Sequence, residues 1–169
     1  GVPVQRIASP NLYWNYREPH PLYKKMAWHG LENYNPRAER VMADIIADYK
    51  PDLVYTFSTE NVNVGTWRAA HKAGVPCVHQ ACSTFLICWK SSMIRRGNSC
   101  SGQCNDCYLT SLGKRYLSRL PQGLMGETDF IVETHRQLGY FPNAKPFTLP
   151  GSVPAVKGAS AKIRKAGDG

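Results

Sequence analysis

The spacing of apolar and polar positions predicts a helix followed by a strand near the middle of the chain. Apolar residues recur at helical intervals over residues 36–49. Asn35 can cap this helix, and Pro36 stands in the first turn, where no N–H is needed. Residues 53–57 are uncharged and mostly β-branched or aromatic, which is typical of a strand buried on both faces.

The same alternation continues further along the chain. A helix over residues 64–73 ends at Gly74, a residue suited to a left-handed position, and residues 77–81 form another strand. This spacing is typical of a βαβ unit with parallel strands. The pattern predicts further elements: a short helix near 21–29, a helix near 108–120 with its leucines inward and its cations outward, a strand at 130–132, a short helix at 134–140 and a strand at 146–149. The predicted fold class is α/β, a Rossmann-like parallel sheet flanked by helices, with a Cys-rich loop.

Composition supports one domain with a substantial core. The chain has 169 residues, 43% of them hydrophobic, and 18 aromatic rings, too many to leave solvated. Its net charge of +9 is concentrated at residues 90–120 and 151–169, and a local basic face suits phosphate groups of nucleic acid, anionic lipid or a nucleotide-sugar. The longest apolar run is too short to cross a bilayer. The first residue is Gly1, so we expect a processed chain or an internal fragment.

Several kinds of catalytic or nucleotide-binding site are excluded by their missing motifs. The chain has no G-x-S-x-G, H-E-x-x-H, G-x-x-x-x-G-K-[ST] or G-x-G-x-x-G sequence. It also lacks the Asp-x-Asp pair that holds a metal–diphosphate in one large class of sugar transferases. The five histidines show no ligand spacing, so surface or packing roles are expected for most of them.

The six cysteines lie within 31 residues, and the last three have C-x3-C-x2-C spacing. With Cys88 as a fourth ligand, Cys100, Cys104 and Cys107 can form a tetrahedral zinc site that stabilises the loop. The spacing also matches the iron–sulfur loop of radical S-adenosylmethionine enzymes, although Asp106 replaces the usual aromatic residue. Disulfides would need an oxidising compartment, and unligated buried thiols are the remaining alternative.

Several collinear motifs resemble the N-terminal domain of family-4 glycosyltransferases. They are Pro51-Asp52-Leu53-Val54-Tyr55, Ala73-Gly74-Val75-Pro76-Cys77-Val78, Leu86-Ile87-Cys88 with the following cysteine cluster, Asp129-Phe130-Ile131-Val132, Gly139-Tyr140-Phe141-Pro142 and Leu149-Pro150-Gly151-Ser152-Val153. The resemblance covers most of residues 36–155. It implies the two-domain GT-B architecture and transfer of a sugar from a nucleotide diphosphate donor to an acceptor, in surface polysaccharide or glycolipid synthesis.

The resemblance also implies a division of the chain and a set of partners. Residues 1–150 would be the acceptor-side domain, without its first strand–helix unit, and residues 151–169 the interdomain linker. The nucleotide-sugar donor would bind mainly to a missing C-terminal domain, and the acceptor would be a sugar or a lipid-linked sugar. We expect a cytoplasmic protein, with peripheral contact to the inner face of the membrane as a further expectation and no nucleic-acid partner.

The acceptor site is expected at loops that follow strands, since ligands of open parallel sheets bind at the carboxyl ends of the strands. These loops contain Ser58, Thr59, Glu60 and Asn61, and then Cys82 and Ser83. The last two stand where the family usually has His-Asp, so no catalytic residue can be transferred from the family. Glu60 is the one carboxylate of the set; it can bind sugar hydroxyls or accept a proton, or it can simply favour the next helix through its dipole.

One alternative function remains open. A non-catalytic, zinc-stabilised module could bind nucleic acid or anionic lipid through the basic residues 90–120.

Overall fold

The structure is a computed structural model, and it describes residues 4–13 and 19–151. The predicted linker at 151–169 therefore lies outside the described residues, apart from Gly151. The elements are α1 (Leu22–Asn33), α2 (Pro36–Tyr49), β1 (Val54–Phe57), α3 (Gly65–Lys72), β2 (Cys77–Ala81), β3 (Ile94–Arg95), β4 (Asn98–Ser99), α4 (Asn105–Leu109), α5 (Leu112–Leu117), β5 (Gly123–Gly126), α6 (Asp129–Gln137) and β6 (Lys145–Thr148).

A four-stranded parallel sheet organises the molecule. Its strand order is β1-β2-β5-β6, and each neighbouring pair is parallel. Helices connect and flank the strands, so the predicted α/β, Rossmann-like class is confirmed. Because all four strands run the same way, the loops after β1 and β2 leave the sheet at the same edge.

The helix α2 forms where its sequence signals predict it. The Asn35 side chain accepts hydrogen bonds from the backbone N–H groups of Arg37 and Ala38, which satisfies two donors of the first turn. Lys50 ends the helix in a left-handed conformation, at φ 45°. Gly74 likewise follows α3 at φ 70°, as the sequence predicts.

The core is built around aromatic rings and a buried histidine. Trp67 on α3 is fully buried, and its ring meets His79 of β2 at 5.0 Å between centroids. The imidazole of His79 also stacks on Phe141, with centroids 5.4 Å apart. The Trp67 indole N–H donates to the hydroxyl of Thr56, which is 2.9 Å from Nδ1 of His79. These contacts join α3 to the two strands that lead to the predicted acceptor loops.

The strand predicted at residues 130–132 is wrong. Those residues belong to α6, because the Thr128 hydroxyl accepts from the backbone N–H of Ile131 and caps a helix there. The strand is instead β5, in which Gly126 lies so close to α6 that a Cβ on it would be 2.5 Å from Ile131. A glycine is thus required by packing at a position where strand propensity is poor.

Two predicted orientations also differ from the structure. The helix expected over 108–120 is divided into α4 and α5, with Leu109 61% exposed and Lys114 buried. Strand β1 lies at the edge of the sheet, and Tyr55 and Phe57 are about half exposed, so it is not covered on both faces within the described residues. Among those residues, no helix is long and apolar enough to cross a membrane.

Candidate functional site

The loop after β1 is held in an unusual backbone conformation. Ser58, Asn61 and Asn63 all have positive φ, between 47° and 83°, a region that residues other than glycine seldom occupy. The buried Asn63 side chain donates to the carbonyls of Leu31 and Glu32, at 2.7 and 3.1 Å. Its Oδ1 also accepts from two backbone N–H groups, those of Asn35 and Gly65. This network fixes the loop against α1 and α3.

Four of the predicted acceptor residues surround one small cavity. Ser58 and Thr59 line it from the loop after β1, and Cys82 and Ser83 from the loop after β2. Its volume is about 10 Å³, room for about one water molecule rather than a sugar ring. Burial raises the pKa of the Cys82 thiol. The structure thus brings these four residues together, and their binding to an acceptor stays a prediction.

Glu60 and Asn61 point to different surroundings. Asn61 is buried, and its backbone N–H donates to the Glu32 carboxylate at 3.3 Å. Glu60 lines a neighbouring cleft of about 500 Å³, large enough for a sugar ligand. The first turn of α3 contains no acidic residue, so Glu60 lies outside the turn in which a helix dipole acts. The dipole explanation for Glu60 therefore does not apply.

Aromatic side chains form much of this larger cleft, and sequence reasoning missed them. The cleft is lined by Tyr13, His20, Lys25, Trp28, His29, Glu60, Trp89, Lys90 and Ser91. Residues 13–29 carry no recognisable motif, so the density of rings in that segment was the available signal. The loop after β2 contributes Trp89, Lys90 and Ser91 to the cleft, and none of the three belongs to a recognised motif.

The rings of the cleft support one another. Tyr13 and Trp28 are stacked with centroids 5.8 Å apart, and the Trp28 indole N–H donates to the Tyr13 carbonyl at 3.0 Å. His29 meets both Trp28 and Trp89 edge to face, at 5.0 and 5.2 Å. Such paired rings present a firm apolar surface with polar edges. Lys90 places its ammonium group over Trp89, 5.0 Å from the ring centre.

Buried charges lie behind the cleft. Lys114 of α5 is 2% exposed; its ammonium group donates to the Phe85 carbonyl at 3.2 Å and lies over the Phe85 ring. Burial lowers the pKa of Lys114 to about 8. Burial raises the pKa of Glu32, and the nearby Lys114 opposes that effect. Burial, and secondarily Lys114, lowers the pKa of His29, which favours its neutral imidazole.

The four predicted zinc ligands also come together. Cys88, Cys100, Cys104 and Cys107 all line one cavity of about 140 Å³. The sulfur atoms of Cys88 and Cys107 are 3.7 Å apart. Burial, followed by a hydrogen bond with Cys104, raises the pKa of Cys107 to about 12. Among the described residues, no three His, Cys, Asp or Glu side chains are already arranged to hold a metal ion, so zinc binding stays a prediction.

The basic region at residues 90–120 is not one open face. Lys114 is buried, and Arg95 pairs with Asp106 at 3.5 Å. Arg115 and Arg119 lie over the rings of Tyr108 and Tyr116. This arrangement leaves fewer cations free for phosphate groups than the sequence indicated.

Comparison with known proteins finds one relative that is named for a capsule gene region. It is 26% identical over 155 residues to an uncharacterized 42.6 kDa protein in the cps region of Klebsiella pneumoniae. The alignment covers 90% of this chain and 41% of that protein, so the chain spans about two fifths of its relative. No family model and no solved structure matches the chain. The relative's setting hints at polysaccharide biosynthesis and assigns no reaction.

Proposed function

We propose that this chain is the acceptor-binding part of a glycosyltransferase that acts in surface polysaccharide synthesis. The observation that carries the proposal is the cleft of about 500 Å³, which combines aromatic rings, two lysines and Glu60. Glu60 and Trp89 belong to the two loops that leave the carboxyl edge of the sheet, where open parallel sheets bind ligands. The capsule-region relative supports a role with polysaccharides.

The side chains of the cleft suit a sugar acceptor. The exposed ring of Trp89 can cover the apolar C–H surface of a sugar ring, while Glu60 accepts hydrogen bonds from its hydroxyl groups. Lys25 and Lys90 add positive charge at the same cleft. An acceptor that carries phosphate, such as a lipid-linked sugar, would therefore bind better than a neutral one.

The proposed reaction assigns this chain one chemical step. The acceptor hydroxyl oxygen forms a bond to the anomeric carbon of the donor, whose bond to the diphosphate breaks. The nucleoside diphosphate leaves with the bonding electrons, and the hydroxyl proton passes to the Glu60 carboxylate. The groups that stabilise the leaving diphosphate would belong to a second, donor-binding domain, because this part of the chain has no Asp-x-Asp or phosphate loop.

Paired variants test the proposal. Trp89→Ala should weaken binding of short acidic oligosaccharides, measured by saturation-transfer NMR, because it removes one wall of the cleft. Tyr116→Ala is the matched control, since Tyr116 is an exposed ring on α5 that is outside the cleft. In the protein encoded by the complete gene, Glu60→Gln should lower turnover about tenfold or more without a change in melting temperature. Glu133→Gln on α6 is the control for that substitution.

The proposal fails under two results. Binding that falls equally in the Trp89 and Tyr116 variants would show that the cleft is not the sugar site. Turnover that is equal in Glu60→Gln and in the parent protein would remove the assigned proton acceptor.

A further inference from the structure

We propose that Cys88, Cys100, Cys104 and Cys107 bind one zinc ion, and that this ion holds the loop that forms one wall of the cleft. The four cysteines line a single cavity, although they span 20 residues of the chain. Zinc favours four thiolates in closed structural sites. This inference concerns a metal site, and it stands whether or not the chain acts on sugars.

One distance in the cavity already has the value that zinc requires. A zinc–sulfur bond is about 2.3 Å long, so two thiolates of a tetrahedral site lie about 3.8 Å apart. The sulfur atoms of Cys88 and Cys107 are separated by 3.7 Å. Cys100 and Cys104 line the same cavity as this pair. Among the described residues no three such side chains are already arranged for a metal ion, so ligation would require Cys100 and Cys104 to turn toward this pair.

A short hairpin places Cys100 at the cavity that Cys88, Cys104 and Cys107 also line. Strands β3 and β4 form a hairpin whose turn residues, Arg96 and Gly97, both have positive φ, as a tight two-residue hairpin turn requires. The backbone N–H of Cys100 donates to the Met93 carbonyl at 2.7 Å and closes the hairpin. The hairpin therefore brings Cys100 back toward the segment that begins at Cys88, and both cysteines line the same cavity.

Packing alone gives this segment little support. Residues 94–99 are all exposed, and Ile94, the one large apolar residue of the hairpin, is 50% exposed. A two-stranded hairpin is marginal by itself in water. A structural zinc site contributes folding free energy directly, which is what such a segment needs. Lys90 and Arg95 line the same cavity and offset the negative charge of four thiolates around one Zn²⁺.

The ion would act on the cleft through Cys88. That residue is 5% exposed, and the next two residues, Trp89 and Lys90, line the cleft. Fixing the Cys88 sulfur therefore fixes the point from which the Trp89 ring extends toward His29. Trp89 itself is 38% exposed, so its ring is not held by burial in the core.

The test measures metal and thiol protection on the 169-residue chain, without any activity. Protein purified without chelator should contain about one zinc ion per chain by elemental analysis. Cobalt substitution should give the charge-transfer and visible bands of a tetrahedral thiolate site. Cys104→Ser should lose most of the zinc, whereas Cys82→Ser, a matched change at an exposed cysteine outside the cavity, should keep it.

Thiol labelling keeps the proposal testable if the Cys104 variant fails to fold. In the native zinc-bound chain, Cys82 should react with a maleimide reagent and the four ligands should not; a strong chelator should then make all four reactive. Four thiols that react equally before and after chelation would overturn the proposal. A Cys88–Cys107 disulfide, or an iron–sulfur chromophore with acid-labile sulfide in place of zinc, would also overturn it.

Discussion

Acidification should destabilise this protein through one buried histidine. His79 is 2% exposed, enclosed by the rings of Trp67 and Phe141, and within hydrogen-bond distance of the Thr56 hydroxyl. Burial, and secondarily the nearby His135, lowers the pKa of His79 from 6.5 to about 3. The unfolded chain therefore binds a proton between these two values that the folded chain does not, and stability falls as the pH falls below 6.5.

The magnitude follows from the two pKa values of His79. At pH 7 its contribution to the pH dependence is negligible, and at pH 5 the folded state has lost about 2 kcal/mol relative to the unfolded state. The loss continues toward pH 3, where the folded protein also takes up the proton. His135 is buried too, and its lowered pKa acts in the same direction. A variant of His79 is therefore needed to isolate the first effect.

The assay is urea unfolding at several pH values between 5 and 7, followed by tryptophan fluorescence. His79→Gln removes the titrating ring, so the difference in unfolding free energy between parent and variant should change by about 2 kcal/mol across that range. His71→Gln is the matched control, since His71 is exposed on α3. Parallel stability curves for the parent and the His79 variant would refute the buried, neutral state of His79.

Three further predictions concern the loop after β1, the packing around two glycines, and the activity of this chain on its own. Asn63→Ala leaves two carbonyls and two N–H groups without their side-chain partner, and should lower the unfolding free energy by about 3 kcal/mol or more in denaturant titrations. Gly113→Ala would place a Cβ 2.6 Å from the Asn33 carbonyl and should cost about 1–3 kcal/mol, whereas Gly30→Ala, which meets no atom within 4 Å, should stabilise α1 by up to about 1 kcal/mol. The chain alone should transfer no sugar and show no saturable donor binding in calorimetry, and either activity would contradict its assignment to the acceptor side.

The regular elements were predictable where local signals agree with burial. The cap at Asn35, the glycine at Gly74 and the strand at 77–81 all express local preferences that the tertiary structure does not oppose. β5 was missed because its two glycines reflect close packing that becomes visible only once the neighbouring elements are placed. Gly126 lies against α6, and Gly123 lies against Val78 of β2. Residues 130–132 have the apolar side chains of a strand, but they form a helix because Thr128 caps one there.

The candidate site was only partly predictable for a related reason. Topology places the loops after β1 and β2 at one sheet edge, so Ser58 and Cys82 could be grouped from the sequence. The wall of the larger cleft comes from the segment before α2, which belongs to no βαβ unit. Nothing in the spacing of Tyr13 or Trp28 shows that these rings face Trp89. The sequence pattern likewise predicts Lys114 at the surface. It is buried because Glu32 and Phe85, both distant in sequence, supply its partners.

The proposed sugar-binding cleft and the proposed zinc site share residues 88–90. Their effects on sugar binding can still be measured separately. Cys88 lines only the cysteine cavity, whereas Trp89 and Lys90 line both that cavity and the cleft. Glu60, by contrast, is held by the loop that Asn63 fixes, and that loop has no cysteine ligand. Loss of zinc would therefore act on the side of the cleft that contains Trp89 and leave the Glu60 side in place. A sugar that bound through both sides would be weakened by chelation and by Trp89→Ala through the same ring, so the two losses would not add. The contribution of Glu60 to sugar binding would be the same with and without zinc.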